Sequence, residues 1–67
     1  SFPVKNMCEF NVFLDGKSIF KDVYYAKNEK DSVVLKNVLG EIKQVPNCAI
    51  TEVDVNAAKL ILNPTKA

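Results

Sequence analysis

Turn-forming residues interrupt this chain at short intervals, and this spacing constrains its fold more than any other feature. The segments between the turns run for about four to eight residues, the usual length of strands and shorter than most helices. Asp15-Gly16 is the strongest turn signal, because both residues tolerate the positive φ of a two-residue hairpin. The other interruptions are residues 26–32, Gly40, Pro46-Asn47, residues 56–58 and Pro64.

The intervening segments read as strands. The first one alternates strictly, with Cys8, Phe10, Val12 and Leu14 on one face. Residues 33–39 could also be helical, but their β-branched content and the turns on both sides favour a strand. We therefore predict an all-β fold, a small antiparallel barrel or compact sandwich of about six short strands. The predicted strands cover residues 8–14, 18–25, 33–39, 41–45, 49–55 and 59–62.

The chain has 67 residues, so a domain of this size is only marginally stable on its own. Small domains gain stability from disulfides, metals or partner subunits. Two cysteines allow at most one internal disulfide, which leaves a metal or a partner as the expected supplement. An unpaired edge on a small sheet also invites pairing with a second chain. We expect a homodimer.

Composition and length predict one globular domain over residues 7–67. Hydrophobic residues make up 48% of the chain and charged residues 25%, well away from disordered sequences. No apolar run approaches the ~20 residues that cross a membrane, and no signal peptide opens the chain, so we expect a cytoplasmic protein without membrane association. Met7 is a plausible natural start, which would make residues 1–6 an expression scar or a short extension. Alternatively, Met7 is an ordinary strand residue.

Missing residue types restrict the chemistry. The chain has no histidine, which excludes Ser-His-Asp triads, Cys-His dyads and imidazole metal ligands. No carboxylate spacing indicates an acid–base pair, so we predict no enzymatic activity. The chain also lacks arginine and has a net charge of +1, which disfavours nucleic-acid binding. A base-stacking platform could be built from aromatic residues, but in a small barrel these are more often core: Phe10, Phe13, Phe20, Tyr24 and Tyr25.

Cys8 is the candidate metal ligand. If translation starts at Met7 and that methionine is removed, Cys8 offers an amine and a thiolate in one five-membered chelate. Thiolate with amine or amidate nitrogen suits square-planar nickel or copper. One cysteine supplies too few ligands, so two chains would meet at the metal, on or near a dimer axis. The alternative is that Cys8 is a small packed residue, which is the commoner role of a free cysteine.

Cys48 has a different expected role. It follows Pro46-Asn47 at the start of a predicted strand, where a small side chain would fill a gap in the core. A disulfide between Cys8 and Cys48 is compatible with their spacing but improbable in the cytoplasm.

Several segments carry a resemblance to a known family. They are Met7-Cys8-Glu9 with residues 11–14, Lys21-Asp22-Val23, the run VVLKNVLGEIKQV at residues 33–45, and the pair of closing strands at residues 49–54 and 59–62. Together they resemble the CooT-type nickel-binding accessory proteins from Met7 to about Asn63. The resemblance implies a dimer of small β-barrel-like subunits that binds nickel through the cysteine after the start methionine, which is Cys8 here. The family's named member serves nickel insertion into carbon monoxide dehydrogenase, and many relatives are labelled predicted RNA-binding proteins.

Taken with this resemblance, the sequence predicts a cytoplasmic, metallochaperone-like nickel-binding accessory protein. We expect nickel to be held by Cys8 at the interface of a homodimer, and a nickel metalloenzyme such as carbon monoxide dehydrogenase to be the partner. The alternative is a small RNA-binding β-barrel protein. If residues 1–6 are present, Cys8 lacks a free amine and the metal site is weakened.

Overall fold

Six strands form a single sheet. The computed structural model describes residues 9–65, so Cys8 and the other residues of 1–8 and 66–67 lie outside the description. The strand order across the sheet is β4-β3-β2-β1-β6-β5. No helix occurs within residues 9–65, which confirms the predicted all-β class. The strands are β1 (Phe10–Leu14), β2 (Lys17–Asn28), β3 (Ser32–Asn37), β4 (Ile42–Pro46), β5 (Cys48–Asp54) and β6 (Lys59–Pro64).

The sheet is mixed rather than wholly antiparallel. Each hairpin reverses the chain, so β1 to β4 alternate in direction. The link between β4 and β5 is the single residue Asn47, with φ of 58°, and the chain bends there without reversing. After one further hairpin, β6 therefore runs parallel to β1, and Val12 lies beside Leu60. Pro46-Asn47 does interrupt a strand as predicted, but it makes a corner rather than a hairpin.

The β1–β2 hairpin forms as the sequence predicts. Asp15 and Gly16 have φ of 58° and 82°, and the flanking residues Leu14 and Lys17 pair across the turn. Both central residues therefore occupy the left-handed region that this type of turn requires.

Strand β2 is longer than predicted. Residues 26–28 were expected in a polar loop, yet Ala26 pairs with Leu35 and Asn28 pairs with Val33. The polar side chains of Lys27 and Asn28 are exposed to water, and the backbone groups of this segment hydrogen-bond to β3. Polar side chains therefore do not prevent these residues from forming a strand.

Strand β2 changes partner at Val23. Its first half pairs with β1 and its second half with β3, and Val23 lies opposite both Phe10 and Asn37. The ladder is irregular on both sides of this point, and Asp22 has φ of 57°. Each half of β2 consequently has one side that no strand of the described chain pairs.

The sheet curls around one core without closing. The edge strands β4 and β5 meet at Asn47, and the Asn28 side-chain oxygen accepts a hydrogen bond from the Ile50 N–H at 3.1 Å. No ladder joins β4 to β5 in the part of the chain described, so the predicted barrel is open on that side. The predicted inward face of β1 is confirmed for Val12, which is fully buried between half-buried Phe10 and Leu14. The buried core consists of Val12, Val23, Val33, Leu35, Val45, Cys48, Leu60 and Leu62.

Candidate metal centre

Cys48 is part of the core. Its side chain is 2% exposed, and its sulfur donates a hydrogen bond to the Val45 carbonyl oxygen at 3.4 Å. Burial raises the pKa of the Cys48 thiol, because the thiolate would lose its hydration. Metals bind the thiolate, so a buried, protonated and hydrogen-bonded thiol is a poor ligand. The interpretation of Cys48 as a packing residue is confirmed.

The corner before Cys48 holds it in this position. The Asn47 N–H donates to the Asp31 carbonyl at 2.6 Å, and the Asn47 carbonyl accepts from the Thr65 N–H at 3.0 Å. Asn47 tolerates its positive φ better than most residues do. These contacts tie the corner to two neighbouring segments, so the first residue of β5 points into the core.

The described residues offer no alternative metal site. Between residues 9 and 65, no three side chains among Cys, Asp and Glu lie close enough together to hold an ion. Cys8, the predicted ligand, lies outside the described residues, so its placement stays a prediction. It is joined through Glu9 to Phe10, the first residue of β1.

An apolar groove lies at the end of the sheet where β1 begins. It has a volume of about 120 Å³ and lies between the second half of β2 and the last part of β5. Two of its lining side chains are about half exposed, Tyr24 at 52% and Val53 at 53%, and nearby Val55 is 71% exposed. The lining contains no charged residue and consists of Phe10, Val23, Tyr24, Tyr25, Ala26, Val53 and Leu60.

A second cleft, which has charged residues in its lining, lies on the opposite side of β2, beside the β3–β4 turn. Its volume is about 430 Å³, and Lys21, Asp22 and Glu41 contribute charge to its lining. The buried side chain of Asn37 organises the turn: its oxygen accepts from the backbone N–H groups of Leu39 and Glu41, and its amide donates to the Glu41 carboxylate.

A model of a known protein family matches most of the chain. The matching family model is described as the CO dehydrogenase accessory protein CooT, and it covers residues 7–63. This chain belongs to the CooT family. The match includes Cys8 and β1 to β5 in full. No curated protein matches the chain.

Among the aromatic residues of this CooT-family chain, two pack against the core and two are exposed. Phe10 and Phe20 pack against the core, as predicted. Tyr24 and Tyr25 are exposed, so the prediction that they belong to the core is wrong. Lysine ammonium groups lie over three of the rings: Lys36 is 4.4 Å from the Tyr25 centroid, Lys43 is 5.7 Å from Phe20 and Lys59 is 5.6 Å from Phe13.

Sequence reasoning missed the apolar groove. The signal available was the pair Val53 and Val55, which are apolar at alternate positions of the predicted strand at residues 49–55, next to Glu52 and Asp54. The pattern does not reveal that β2 changes partner beside them, and that change leaves the groove uncovered. Within the described residues, no helix is long and apolar enough to span a membrane.

Proposed function

We propose that this CooT-family protein carries nickel as cargo through Cys8 and serves the maturation of a carbon monoxide dehydrogenase. The observation that supports this most is the state of Cys48, whose thiol is buried and committed to the Val45 carbonyl. The sequence has no histidine, so Cys8 is the soft donor that we assign to the metal in each chain. The printed description of the family as a CO dehydrogenase accessory protein supports the partner.

The ligand count supports a site shared by two chains. A single thiolate and one adjacent nitrogen fill two positions around a metal, and square-planar nickel takes four. Two copies related by a two-fold axis would supply the same pair twice. Nickel therefore belongs, in this proposal, at the interface of a homodimer.

The role is one of binding and delivery without turnover, and we place it in the cytoplasm. The free thiol of Cys48 is compatible with a reducing compartment. The family description, an accessory protein, also favours a protein that assists an enzyme over one that catalyses.

The nitrogen donor depends on what precedes Cys8. When Cys8 is the first residue, its free amine completes the chelate. When residues 1–7 are attached, the nitrogen is a peptide amide, which is harder to deprotonate.

Nickel titration of a chain trimmed to begin at Cys8, beside the 67-residue chain, tests the proposal. We expect one nickel per two chains in each case, with tighter binding by the trimmed chain. One nickel per monomeric chain would contradict the shared site.

RNA binding is the competing function, and few features of the structure support it. The net charge is +1, and lysines already cover the faces of Phe13, Phe20 and Tyr25. We expect no submicromolar binding of single-stranded RNA at physiological salt. Tight binding that falls steeply with added salt, as phosphate contacts require, would favour the competing function.

A further inference from the structure

The β3–β4 turn leaves one edge of β2 uncovered. Strand β3 pairs with the second half of β2, and the last backbone contact is the hydrogen bond from the Val38 N–H to the Asp22 carbonyl at 2.9 Å. At Asn37 the chain turns away into β4, because the Asn37 side-chain oxygen accepts hydrogen bonds from two backbone N–H groups of the turn. No described strand therefore pairs residues 17–21 on this side.

The charged cleft beside the β3–β4 turn lies along this edge. It is lined by residues 18–22 of β2 on one side and by Asn37, Leu39 and Glu41 on the other, and its volume is about 430 Å³. A stretch of strand of this length spans about 17 Å, so the cleft has room along β2 for about five extended residues. Open strand edges commonly bind an extended segment of another protein as an added strand.

The edge is twisted rather than flat. The pairing of β1 with β2 shifts between Val12 and Phe13, which leaves Ile19 as an extra residue in β2. Asp22 has a φ of 57°, outside the extended region. Such irregularities discourage indiscriminate pairing between strand edges, so side chains must contribute to recognition at this edge.

Apolar side chains provide one such contact. Leu39 lines the cleft and is 73% exposed, and its neighbours Val38 and Ile42 are also exposed. Ile19 and Phe20 line the cleft from β2 and are half-buried. A cluster of large exposed apolar side chains is typical of a surface that contacts another protein.

Carboxylates provide the second contact. Asp22 and Glu41 line the cleft, and the Asn37 amide donates to the Glu41 carboxylate at 2.8 Å, which fixes its position. The ion pair found within residues 9–65 involves neither carboxylate. Lys21 is exposed to water, and the Lys43 ammonium lies over an aromatic ring of β2. A basic side chain of a partner is therefore the complement of this part of the cleft.

We propose that the charged cleft binds a short extended segment of a partner protein, with an apolar side chain against Leu39 and a lysine or arginine beside Glu41. The segment lies along residues 17–21 of β2, where the turn leaves the edge open. This inference goes beyond the proposed function, because it requires neither nickel nor Cys8.

Selection from a displayed library of random short peptides, with the nickel-free 67-residue chain as bait, tests the proposal. We expect the selected peptides to share apolar residues next to a lysine or arginine. A selected peptide should also slow amide hydrogen exchange within residues 17–21, because backbone groups of the open edge gain partners.

Leu39→Asp tests the apolar contact. It should raise the dissociation constant of a selected peptide about tenfold or more, because it places a charge against the peptide's apolar side chain. Val55→Asp is the matched control, since Val55 is 71% exposed and lies in a different turn. It should change the constant less than about threefold. Circular dichroism establishes that each variant is folded, and Leu39→Ser replaces Leu39→Asp if the latter is not.

Glu41→Gln tests the charge. Glutamine retains an oxygen that can accept from the Asn37 amide, so the turn is kept while the negative charge is lost. We expect binding of a basic peptide to weaken about threefold to fivefold. The same peptide with methionine in place of its basic residue should bind wild type and Glu41→Gln equally.

Four results would overturn the inference: no selected binder, binders that lack a basic residue, equal affinity for wild type and Leu39→Asp, or unchanged exchange within residues 17–21. If sedimentation shows that Leu39→Asp separates two copies of the chain, the cleft is occupied by a second copy and the inference also fails. A wild-type chain that does not bind nickel would contradict the proposed function alone, since the peptide selection uses no metal.

Discussion

The sulfur of Cys48 lies 3.4 Å from the carbonyl oxygen of Val45 and donates a hydrogen bond to it across the β4–β5 corner. Both residues are buried, so this bond is shielded from water. Of the two cysteines in the chain, Cys48 is thereby assigned to the core. In the proposed function, nickel binding is therefore assigned to Cys8.

Burial of Cys48 gives the protein a pH-dependent stability. The thiol has an ordinary pKa of 9.0 when unfolded, and the folded value is higher because burial disfavours the thiolate. Above pH 9 the unfolded chain releases a proton that the folded chain retains, so the free energy of unfolding falls as pH rises. The Cys48 contribution is fully present below pH 9 and declines above it by at most ~1.4 kcal/mol per pH unit.

Urea unfolding of wild type and Cys48→Ala between neutral and alkaline pH measures this effect. The difference in unfolding free energy should shrink as pH rises past the ordinary thiol pKa. All other side chains are the same in the two proteins, so their contributions cancel in the difference. A difference that stays constant across the range would show that the Cys48 thiol is not withdrawn from water.

Asn37 is expected to be the most important polar side chain for stability. It is 4% exposed, and its side chain makes three hydrogen bonds within the β3–β4 turn. Asn37→Ala leaves two backbone N–H groups without their acceptor, which should cost about 2–3 kcal/mol of unfolding free energy. Asn63→Ala is the control, because the Asn63 bond to Thr51 is exposed and its loss should cost under about 0.5 kcal/mol. Equal losses in chemical denaturation would refute the assignment.

Ala58 has a strained backbone. Its φ is 56°, in the left-handed region, where a residue with a Cβ is penalised by about 1–2 kcal/mol. Ala58→Gly removes the penalty but gives the unfolded chain more freedom, worth about 0.4–1 kcal/mol. We expect a net gain of about 0.5–1 kcal/mol.

Ala57→Gly is the matched control for this gain. Ala57 has no positive φ, so glycine there only adds freedom to the unfolded chain and should lower the melting temperature. If thermal melts show that both glycine variants are destabilised alike, the strain at Ala58 is not present in solution.

Local signals predicted the elements of this fold. Asp15-Gly16 and Gly40 require conformations that few other residues adopt, so the turns at these positions could be identified from the chain alone. The alternation around Val12 likewise depends on neighbours two residues apart. These features depend on residues that are close together in the chain, so a single sequence is enough to predict them.

Long-range geometry could not be predicted in the same way. Pro46-Asn47 signals a break, but a hairpin and a corner use the same residue types, and only the corner makes β6 parallel to β1. The apolar groove depends on Val23 facing two strands at once. For the candidate site, the sequence predicted a packed Cys48 correctly but gave no indication of the uncovered surface around Tyr24 and Val53.

Nickel titration calorimetry of wild type, Cys8→Ala and Cys48→Ala in the 67-residue chain tests the central claim most directly. We expect wild type and Cys48→Ala to bind one nickel per two chains, because the Cys48 thiol is held in the core, and Cys8→Ala not to bind. Binding should strengthen as pH rises, since the thiol and its nitrogen partner must lose protons before they coordinate. Full nickel affinity in Cys8→Ala, or its loss in a folded Cys48→Ala, would contradict the claim.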